Sequence, residues 1–209
     1  MKNRSPIKHL ILDVGGVLTR PRESDIILAG AFGKISARRK PLIRTAEDLR
    51  AHRLDLGHIS TAEYLGEFNR LLGTQYSLAE YFKIRFQFIR PNLELIRFVR
   101  KLRTQGISVS ILSDNSAGNV AYYRRNFTFE RTSFAPVRLY SYRYGFAKPD
   151  PRFFRVLLKR LRAQPSECLF VDDNIENVLG ARRLGIHAIR YVTNPQLFRS
   201  LHSYFRLPR

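Results

Sequence analysis

The stretch HLILDVGGVLT, from His9 to Thr19, decides the fold. Its apolar residues predict a strand over Lys8–Val14, which reaches an acid, Asp13, and then turns through two glycines. In α/β proteins, a polar residue at the carboxyl end of a buried strand lies where ligands bind. The following GGVLT is unlike the first turn of a helix, so a chemical role for Asp13 is favoured over a helix cap.

The composition bounds the class of protein. The chain has 209 residues, of which 44% are hydrophobic, enough for one domain with an inserted lobe. No apolar run approaches the roughly 18 residues of a membrane span, and the first residues lack the apolar centre of a signal peptide. A single cysteine, Cys168, excludes an internal disulfide and fits a reducing compartment. We therefore expect a cytoplasmic protein without a membrane span, whose oligomeric state the sequence does not define.

The charge is strongly basic, with 37 Lys and Arg against 17 Asp and Glu, a net charge of +20. Such a surface attracts polyanions, but the basic residues are spread along the chain, so a solvated face is favoured over a nucleic-acid surface. In Tyr122–Phe134, rings that pack inward are likewise favoured over rings that stack on bases. Arg38, Arg39 and Lys40 either contact an anionic substrate or face solvent.

Between Arg20 and Arg90 the sequence is typical of helices. Three pairs have the spacing of capping boxes, in which a hydroxyl residue is followed three positions later by an acid. The pairs are Thr45 with Asp48, Ser60 with Glu63, and Ser77 with Glu80. Residues 21–90 are therefore predicted to form a small helical cap.

After Pro91, helical and strand patterns alternate. The strand patterns are ISVSILS, VRLYS, CLFVD and IHAIRYV, and helical patterns such as DPRFFRVLLKRL and NIENVLGARRLG lie between them. This alternation predicts an α/β fold with a doubly wound parallel sheet and helices on both faces. The core is predicted to comprise residues 1–20 and 91–209, with the cap inserted after the first strand.

Polar residues stand at the ends of three predicted strands, namely Asp13, Ser113 and the pair Asp172–Asp173. Lys148 lies in the loop GFAKPDP between two of these segments. Carboxylates from two strand ends suit Mg²⁺, which prefers oxygen ligands. A lysine and a hydroxyl beside them would bind phosphate oxygens, and a carboxylate in the same place can attack phosphorus. The residues therefore predict Mg²⁺-assisted phosphoryl transfer through Asp13.

Four segments in this order, LDVGGVLT, ILSDNS, GFAKPDP and FVDDNIENV, resemble the haloacid dehalogenase-like (HAD) hydrolase superfamily, and its phosphatase branch in particular. The resemblance covers about residues 8–20 and 91–192, and LDLGHISTAEYLGEF looks like a helix of the family's cap. It implies a Rossmann-like core with a helical cap, and a Mg²⁺-dependent phosphatase that acts on a small phosphorylated metabolite, with sugar phosphates among the candidates.

The resemblance also implies residue roles. Asp13 would be the nucleophile and a metal ligand, and Lys148 would neutralise the charge on both Asp13 and the phosphoryl group. The remaining roles are phosphate binding by Ser113 and the backbone near Asp114, metal binding by the Gly15 carbonyl and Asp173, and support of the metal cluster by Asp172 and Asn177.

Gly15 departs from the family pattern, in which most phosphatases have a second aspartate two residues after the nucleophile. Losing a general acid–base costs on the order of 10²–10⁴ in rate. Two functions therefore stay open: a slow phosphatase, and a weakened phosphate-binding or regulatory module associated with nucleic acid. The dehalogenase branch also lacks that acid, but it does not rely on Mg²⁺, so the Asp172–Asp173 pair argues against it.

Overall fold

The computed structural model describes residues 7–21, 32–33, 35–131 and 134–205. Its centre is a five-stranded sheet in the order β5-β4-β1-β6-β7, in which every neighbouring pair is parallel. These strands are β1 (His9–Leu12), β4 (Ser108–Ser113), β5 (Val137–Tyr140), β6 (Cys168–Asp172) and β7 (His187–Arg190). The opening stretch therefore forms the central strand, which is shorter than the predicted Lys8–Val14.

The other elements alternate with these strands. A two-residue ribbon joins β2 (Thr19–Arg20) to β3 (Arg90–Pro91). The helices are α1 (Leu42–Leu49), continued by a π-helix (Arg50–Leu54), α2 (Thr61–Leu72), α3 (Leu78–Phe86), α4 (Leu93–Thr104), α5 (Ala117–Asn126), α6 (Thr128–Arg131), α7 (Pro151–Leu161), α8 (Ile175–Arg183) and α9 (Asn194–Leu201). None of the described helices is both long and apolar enough to cross a membrane.

The two faces of the sheet are covered by different helices. Because side chains alternate along a strand, Leu10 and Leu12 of β1 enter one apolar cluster, which also contains residues of α4, α5 and α9. Ile11 enters the other cluster, with residues of α7 and α8. This arrangement confirms the predicted doubly wound α/β fold.

The insertion has an apolar core of its own. The buried rings of Phe32, Tyr64, Phe68 and Tyr81 form five close pairs, with centroids 5.2–6.0 Å apart. The described helices α1, α2 and α3 supply most of this core, and the β2–β3 ribbon ties its two connections to the sheet domain. Residues 22–31 and 34 of the predicted cap lie outside the described residues, and the division into core and cap stays a prediction.

Two of the three predicted capping boxes are present. The side chains of Ser60 and Ser77 each accept a hydrogen bond from the backbone N–H three residues on. The carboxylates of Glu63 and Glu80 in turn accept hydrogen bonds from the backbone N–H groups of Ser60 and Ser77. The predicted start at Thr45 is wrong. That helix begins at Leu42, so Thr45 lies inside it and has no free backbone N–H to cap.

The aromatic and basic stretch after Ala121 packs its rings inward. Tyr123, Phe127 and Phe129 are buried in the sheet core, whereas Arg124 and Arg125 are exposed. This arrangement agrees with the favoured interpretation and leaves those rings unable to stack on bases. Residues 132–133 of this stretch lie outside the described residues.

The insertion packs closely on the sheet domain. A Cβ atom at Gly118 in α5 would lie 2.6 Å from Thr61 Oγ1, and one at Gly57 would lie 2.2 Å from the carbonyl oxygen of Tyr142. The rings of Phe86 and Tyr122 also stack, with centroids 4.1 Å apart. Glycine at these two positions therefore allows the insertion to approach the carboxyl end of the sheet.

Candidate active site

The carboxyl ends of β1, β4 and β6 form the floor of a cleft of about 200 Å³. The pairing of Leu12 with Val171 brings Asp13 beside Asp172, so two carboxylates that are far apart in sequence become neighbours. All eight residues that the sequence predicted for the site line this cleft. They are Asp13, Gly15, Ser113, Asp114, Lys148, Asp172, Asp173 and Asn177.

Lys148 lies between the two carboxylates at the floor of the cleft. Its Nζ is 2.8 Å from Asp13 Oδ1 and 2.7 Å from Asp172 Oδ2, and its side chain is buried. Burial alone would lower the pKa of Lys148, but Asp13 and Asp172 outweigh that effect and hold the pKa above its usual value. Lys148 is therefore a fixed cation that contacts the candidate nucleophile directly.

A close contact between helix and loop places Lys148. Gly180 of α8 lies against Pro149, and a Cβ there would be 2.8 Å from the Pro149 Cβ. Larger residues at position 180 would separate α8 from the loop that carries Lys148.

The adjacent acids Asp172 and Asp173 have different surroundings. Asp172 is fully buried and accepts hydrogen bonds from Lys148 Nζ, from Asn177 Nδ2 at 3.0 Å and from the Asn174 N–H at 2.8 Å. Asp173 is only half-buried and lies at the cleft. Asp172 therefore orients Lys148, while the Asp173 carboxylate is the more accessible to a ligand.

The donor set fits a divalent cation. Asp13, Asp172 and Asp173 each offer an oxygen, and these oxygens lie within 4.8 Å of one another. Burial raises the pKa of Asp13 to about 7, and Asp172 and Asp173 add to the rise, against the opposing effect of Lys148. Three carboxylates facing one lysine leave an excess of negative charge, which a cation with oxygen ligands would neutralise.

Ser113 stands at the end of a chain of side-chain amides. Asn119 Nδ2 donates to Asn115 Oδ1 at 3.0 Å, and Asn115 Nδ2 donates to Ser113 Oγ at 3.0 Å. Because Ser113 Oγ accepts the hydrogen bond from Asn115, the hydroxyl proton of Ser113 is available to donate to a ligand in the cleft. Asp114 is anchored differently, because its Oδ1 accepts the Lys148 N–H at 3.0 Å.

Arg50 is a cleft residue that the sequence did not reveal. It comes from the insertion, where its guanidinium pairs with Asp55 and with Glu47 at 3.0 Å. Arg38, Arg39 and Lys40, for which the sequence left substrate contact and solvent exposure open, are exposed and do not line the cleft. The one signal for Arg50 was its spacing of three from Glu47, which many surface helices share.

A hydroxyl joins the insertion to the loop that follows β4. Ser141 Oγ donates to the carbonyl oxygen of Asp55 and accepts the Asn115 N–H at 2.9 Å. The segment that carries Arg50 is therefore connected through one side chain to the loop that carries Ser113.

Gly15 lies at the cleft in an ordinary backbone conformation. Its φ is outside the left-handed region, unlike that of Gly16 at 77°, and nothing lies within 4 Å of an added Cβ. A side chain would therefore fit at position 15, and the missing carboxylate is not imposed by steric exclusion.

The parallel sheet and the cluster of carboxylates with a lysine at its edge define a class, the doubly wound α/β proteins with a polar ligand site beyond the strand ends. A family model described as haloacid dehalogenase-like hydrolase matches residues 7–185. The chain therefore belongs to the haloacid dehalogenase-like hydrolases.

Two curated relatives and one solved structure illustrate the likeness. The mouse Acyl-CoA dehydrogenase family member 10 is 31% identical over 140 residues, covering 64% of this chain but 13% of that protein. The sesquiterpene phosphatase astK of Aspergillus oryzae is 28% identical over 161 residues, covering 70% of this chain and 79% of that protein. The chain thus spans a small part of the first relative and most of the second.

Among solved structures, a HAD family enzyme from Bacteroides thetaiotaomicron superposes with a TM-score of 0.75 at 23% identity. The match covers 92% of this chain and 100% of that chain, and that structure is a complex with magnesium and inorganic phosphate. At this identity the likeness establishes the fold alone.

Proposed function

We propose that the protein is a Mg²⁺-dependent phosphatase that hydrolyses a small phosphate monoester through an aspartyl-phosphate at Asp13. One observation carries the proposal: Lys148 joins Asp13 to Asp172 at the floor of the cleft, with Asp173 beside them. This places a candidate nucleophile, a cation and a candidate metal site within one small volume.

The comparisons support the reaction class. The Aspergillus relative is named as a phosphatase, and the Bacteroides structure contains magnesium and phosphate. A small phosphorylated metabolite, with sugar phosphates among the candidates, suits a cleft of about 200 Å³.

The residues that would hold Mg²⁺ are Asp13, Asp173 and the backbone carbonyl of Gly15, with Asp172 and Asn177 in support. When bound, the ion would neutralise phosphate oxygens and offset the charge of the carboxylates. Lys148 and Ser113 would bind the remaining phosphate oxygens, assisted by the backbone near Asp114. The Asn115 N–H is already bonded to Ser141, so other donors of that loop would serve.

In the reaction, a carboxylate oxygen of Asp13 forms a bond to phosphorus while the bond from phosphorus to the leaving oxygen breaks. Lys148 stabilises Asp13 as the carboxylate and then contacts the charge on the transferred group. Water next attacks phosphorus, which frees the Asp13 carboxylate and releases phosphate. The insertion, which lies over this edge of the sheet, would exclude bulk water and bring Arg50 to the substrate.

A panel of phosphate monoesters assayed with Mg²⁺ tests the proposal. The wild type should release phosphate, and Asp13→Asn should lose that activity. Asp48→Asn is a matched control, because Asp48 is exposed on α1 and does not line the cleft. Equal rates for the wild type and Asp13→Asn, or no release from any ester, would contradict the proposal.

A second function is favoured by Gly15 alone: a weakened phosphate-binding or regulatory module. Such a module would bind inorganic phosphate in the presence of Mg²⁺, as measured by calorimetry, without turning over any ester. Lys148 and the carboxylate cluster favour the enzyme, because a binding module does not require a buried lysine against a nucleophilic carboxylate.

A further inference from the structure

We propose that the leaving group departs without receiving a proton from the described residues of the cleft, so that the natural substrate carries a weakly basic leaving group. Phosphoric anhydrides, acyl phosphates and aryl or enol phosphates belong to this class, whereas phosphates of simple alcohols and sugar hydroxyls do not. The inference rests on the proposed phosphatase and narrows its substrate, excluding sugar monophosphates esterified at a hydroxyl.

The first argument is the set of side chains at the cleft. The described residues that line it include no histidine, tyrosine, cysteine or glutamate. Its two basic groups are a lysine bound to two carboxylates and an arginine bound to Glu47 and Asp55. Neither Lys148 nor Arg50 is suited to lose a proton to a leaving oxygen, because each remains the cation of its ion pairs.

The carboxylates at the cleft have other roles. Asp13 is the proposed nucleophile, Asp172 accepts three hydrogen bonds, and Asp173 faces the candidate metal site. Asp114 is the strongest remaining candidate for an acid. Its Oδ1 accepts a hydrogen bond from the backbone N–H of Lys148, which ties the Asp114 carboxylate to the loop that carries Lys148. The experiment below tests directly whether Asp114 acts as the acid.

The second argument is the open space at position 15. The residue lies two positions after the nucleophile and lines the cleft, yet it offers no proton. Because nothing lies within 4 Å of an added Cβ and the backbone is not left-handed, an aspartate would fit. The structure thus provides room for an acid at this point of the cleft but places a glycine there.

The chemistry follows from the balance of charge. When the bond from phosphorus to the leaving oxygen breaks, the leaving group takes the electron pair and departs as an anion. An alkoxide is too basic to leave readily without a proton, whereas a carboxylate, a phosphate or a phenolate departs as it is. General acid catalysis contributes on the order of 10²–10⁴ in rate, so its absence penalises the basic leaving groups selectively.

The test is a series of phosphates with leaving groups of rising basicity: dinitrophenyl, acetyl, nitrophenyl and phenyl phosphate, and glycerol phosphate. The quantity to measure is kcat/KM, which reports the first transfer and not the later hydrolysis of the phosphoenzyme. We expect kcat/KM to fall steeply and monotonically along the series in the wild type. Asp13→Asn should be inactive throughout.

Three variants test whether position 15 or Asp114 can supply a proton to the leaving group. Gly15→Asp should raise the ratio of kcat/KM for glycerol phosphate to kcat/KM for dinitrophenyl phosphate by on the order of 10². Gly15→Asn, which has the same size but no acid, should give no such selective gain. Asp114→Asn should leave the slope of the wild-type series as it is.

The outcomes separate the two proposals. A slope that is flat while activity depends on Asp13 would overturn the leaving-group inference and leave the phosphatase intact. A slope that steepens in Asp114→Asn would also overturn it, by identifying Asp114 as the acid. If no ester or anhydride is hydrolysed in an Asp13-dependent way, both proposals fail. The wild-type series decides the matter even if Gly15→Asp does not fold.

Discussion

The adjacent residues Asp172 and Asp173 differ in burial and in the groups that they contact. Asp172 is the last residue of β6, so its side chain is buried against Lys148 and Asn177. Asp173 follows the strand and is half-buried at the cleft. We infer that Asp172 holds the lysine and that Asp173 is the acid that meets the metal.

This division predicts how Mg²⁺ affects thermal stability. Wild-type protein should melt at a higher temperature in Mg²⁺, because a ligand that binds the folded state at 100 times its Kd stabilises it by about 2.7 kcal/mol. Asp173→Asn should lose most of that gain, as measured by calorimetry or thermal shift. Asp48→Asn, at an exposed position, should keep it. An equal Mg²⁺ response in Asp173→Asn would contradict the assignment.

At the scale of the element, the insertion contributes a cation that is held by a small ionic cluster. Arg50 follows α1 directly, and Glu47 and Asp55 fix its guanidinium at the cleft. Arg53 lies three residues on in the same π-helix, but it is exposed and pairs with Glu67. Both arginines therefore form ion pairs with acids, but of the two only Arg50 lines the cleft.

That contrast gives a matched pair of variants. Arg50→Met should raise KM for a phosphorylated substrate by roughly 10- to 100-fold, since a lost contact to a charged group is worth about 1.5–3 kcal/mol. Arg53→Met should leave KM close to the wild-type value. Steady-state kinetics on both variants checks the assignment, which is refuted if the two variants shift KM alike.

The same cluster predicts a dependence of stability on pH. Burial alone would raise the pKa of Glu47, but Arg50 and the fully buried Arg85 outweigh it and hold the pKa below its usual value of 4.5. A lowered carboxyl pKa stabilises the folded state above the unfolded pKa, and this contribution disappears as the pH falls through the folded pKa.

Glu47→Gln should therefore lower the free energy of unfolding by about 3 kcal/mol at neutral pH, because it removes one partner of a buried ion pair. The difference from the wild type should shrink as the pH falls below 4.5 and through the lowered pKa of Glu47. Glu67→Gln, whose pair with Arg53 is largely exposed, should cost less than about 1 kcal/mol. Denaturant titrations at several pH values measure both, and a deficit for Glu47→Gln that stays constant down to acid pH would contradict this account.

At the scale of the whole molecule, the sequence predicted most of what lies near the strand ends. Asp13, Ser113 and Asp172 could be placed because parallel strands deliver their last residues to one edge of the sheet. Lys148 could be placed because its loop follows β5, the neighbour of β4, and so lies at the same edge of the sheet. The positions of such residues can be predicted from the sequence, because the local strand pattern and the sheet topology point to the same site.

The residues contributed by the insertion could not be predicted in the same way. Arg50 reaches the cleft only because the insertion packs on α5 and on Tyr142, through contacts at Gly118 and Gly57 that leave no sequence pattern. The start of α1 was also predicted wrongly, because Pro41, and not Thr45, precedes its first turn. Packing between two parts of a chain decides such positions, and periodicity does not encode it.

The net charge of +20 remains a property of the surface in this account. The rings of Tyr123, Phe127 and Phe129 are buried, so they are not available to stack on bases. A nucleic-acid partner is therefore not part of the proposed function, which rests on the cleft.

The most direct test of the central claim is to trap the phosphoenzyme. Wild-type protein mixed with dinitrophenyl phosphate and Mg²⁺, quenched in acid and analysed by mass spectrometry, should carry one phosphoryl group. Peptide mapping should locate it on Asp13, because the glycine at position 15 supplies no carboxylate, two residues after the nucleophile, to speed its hydrolysis. Asp13→Asn should carry none. A phosphoryl group on another residue, or one that forms equally in Asp13→Asn, would contradict the account.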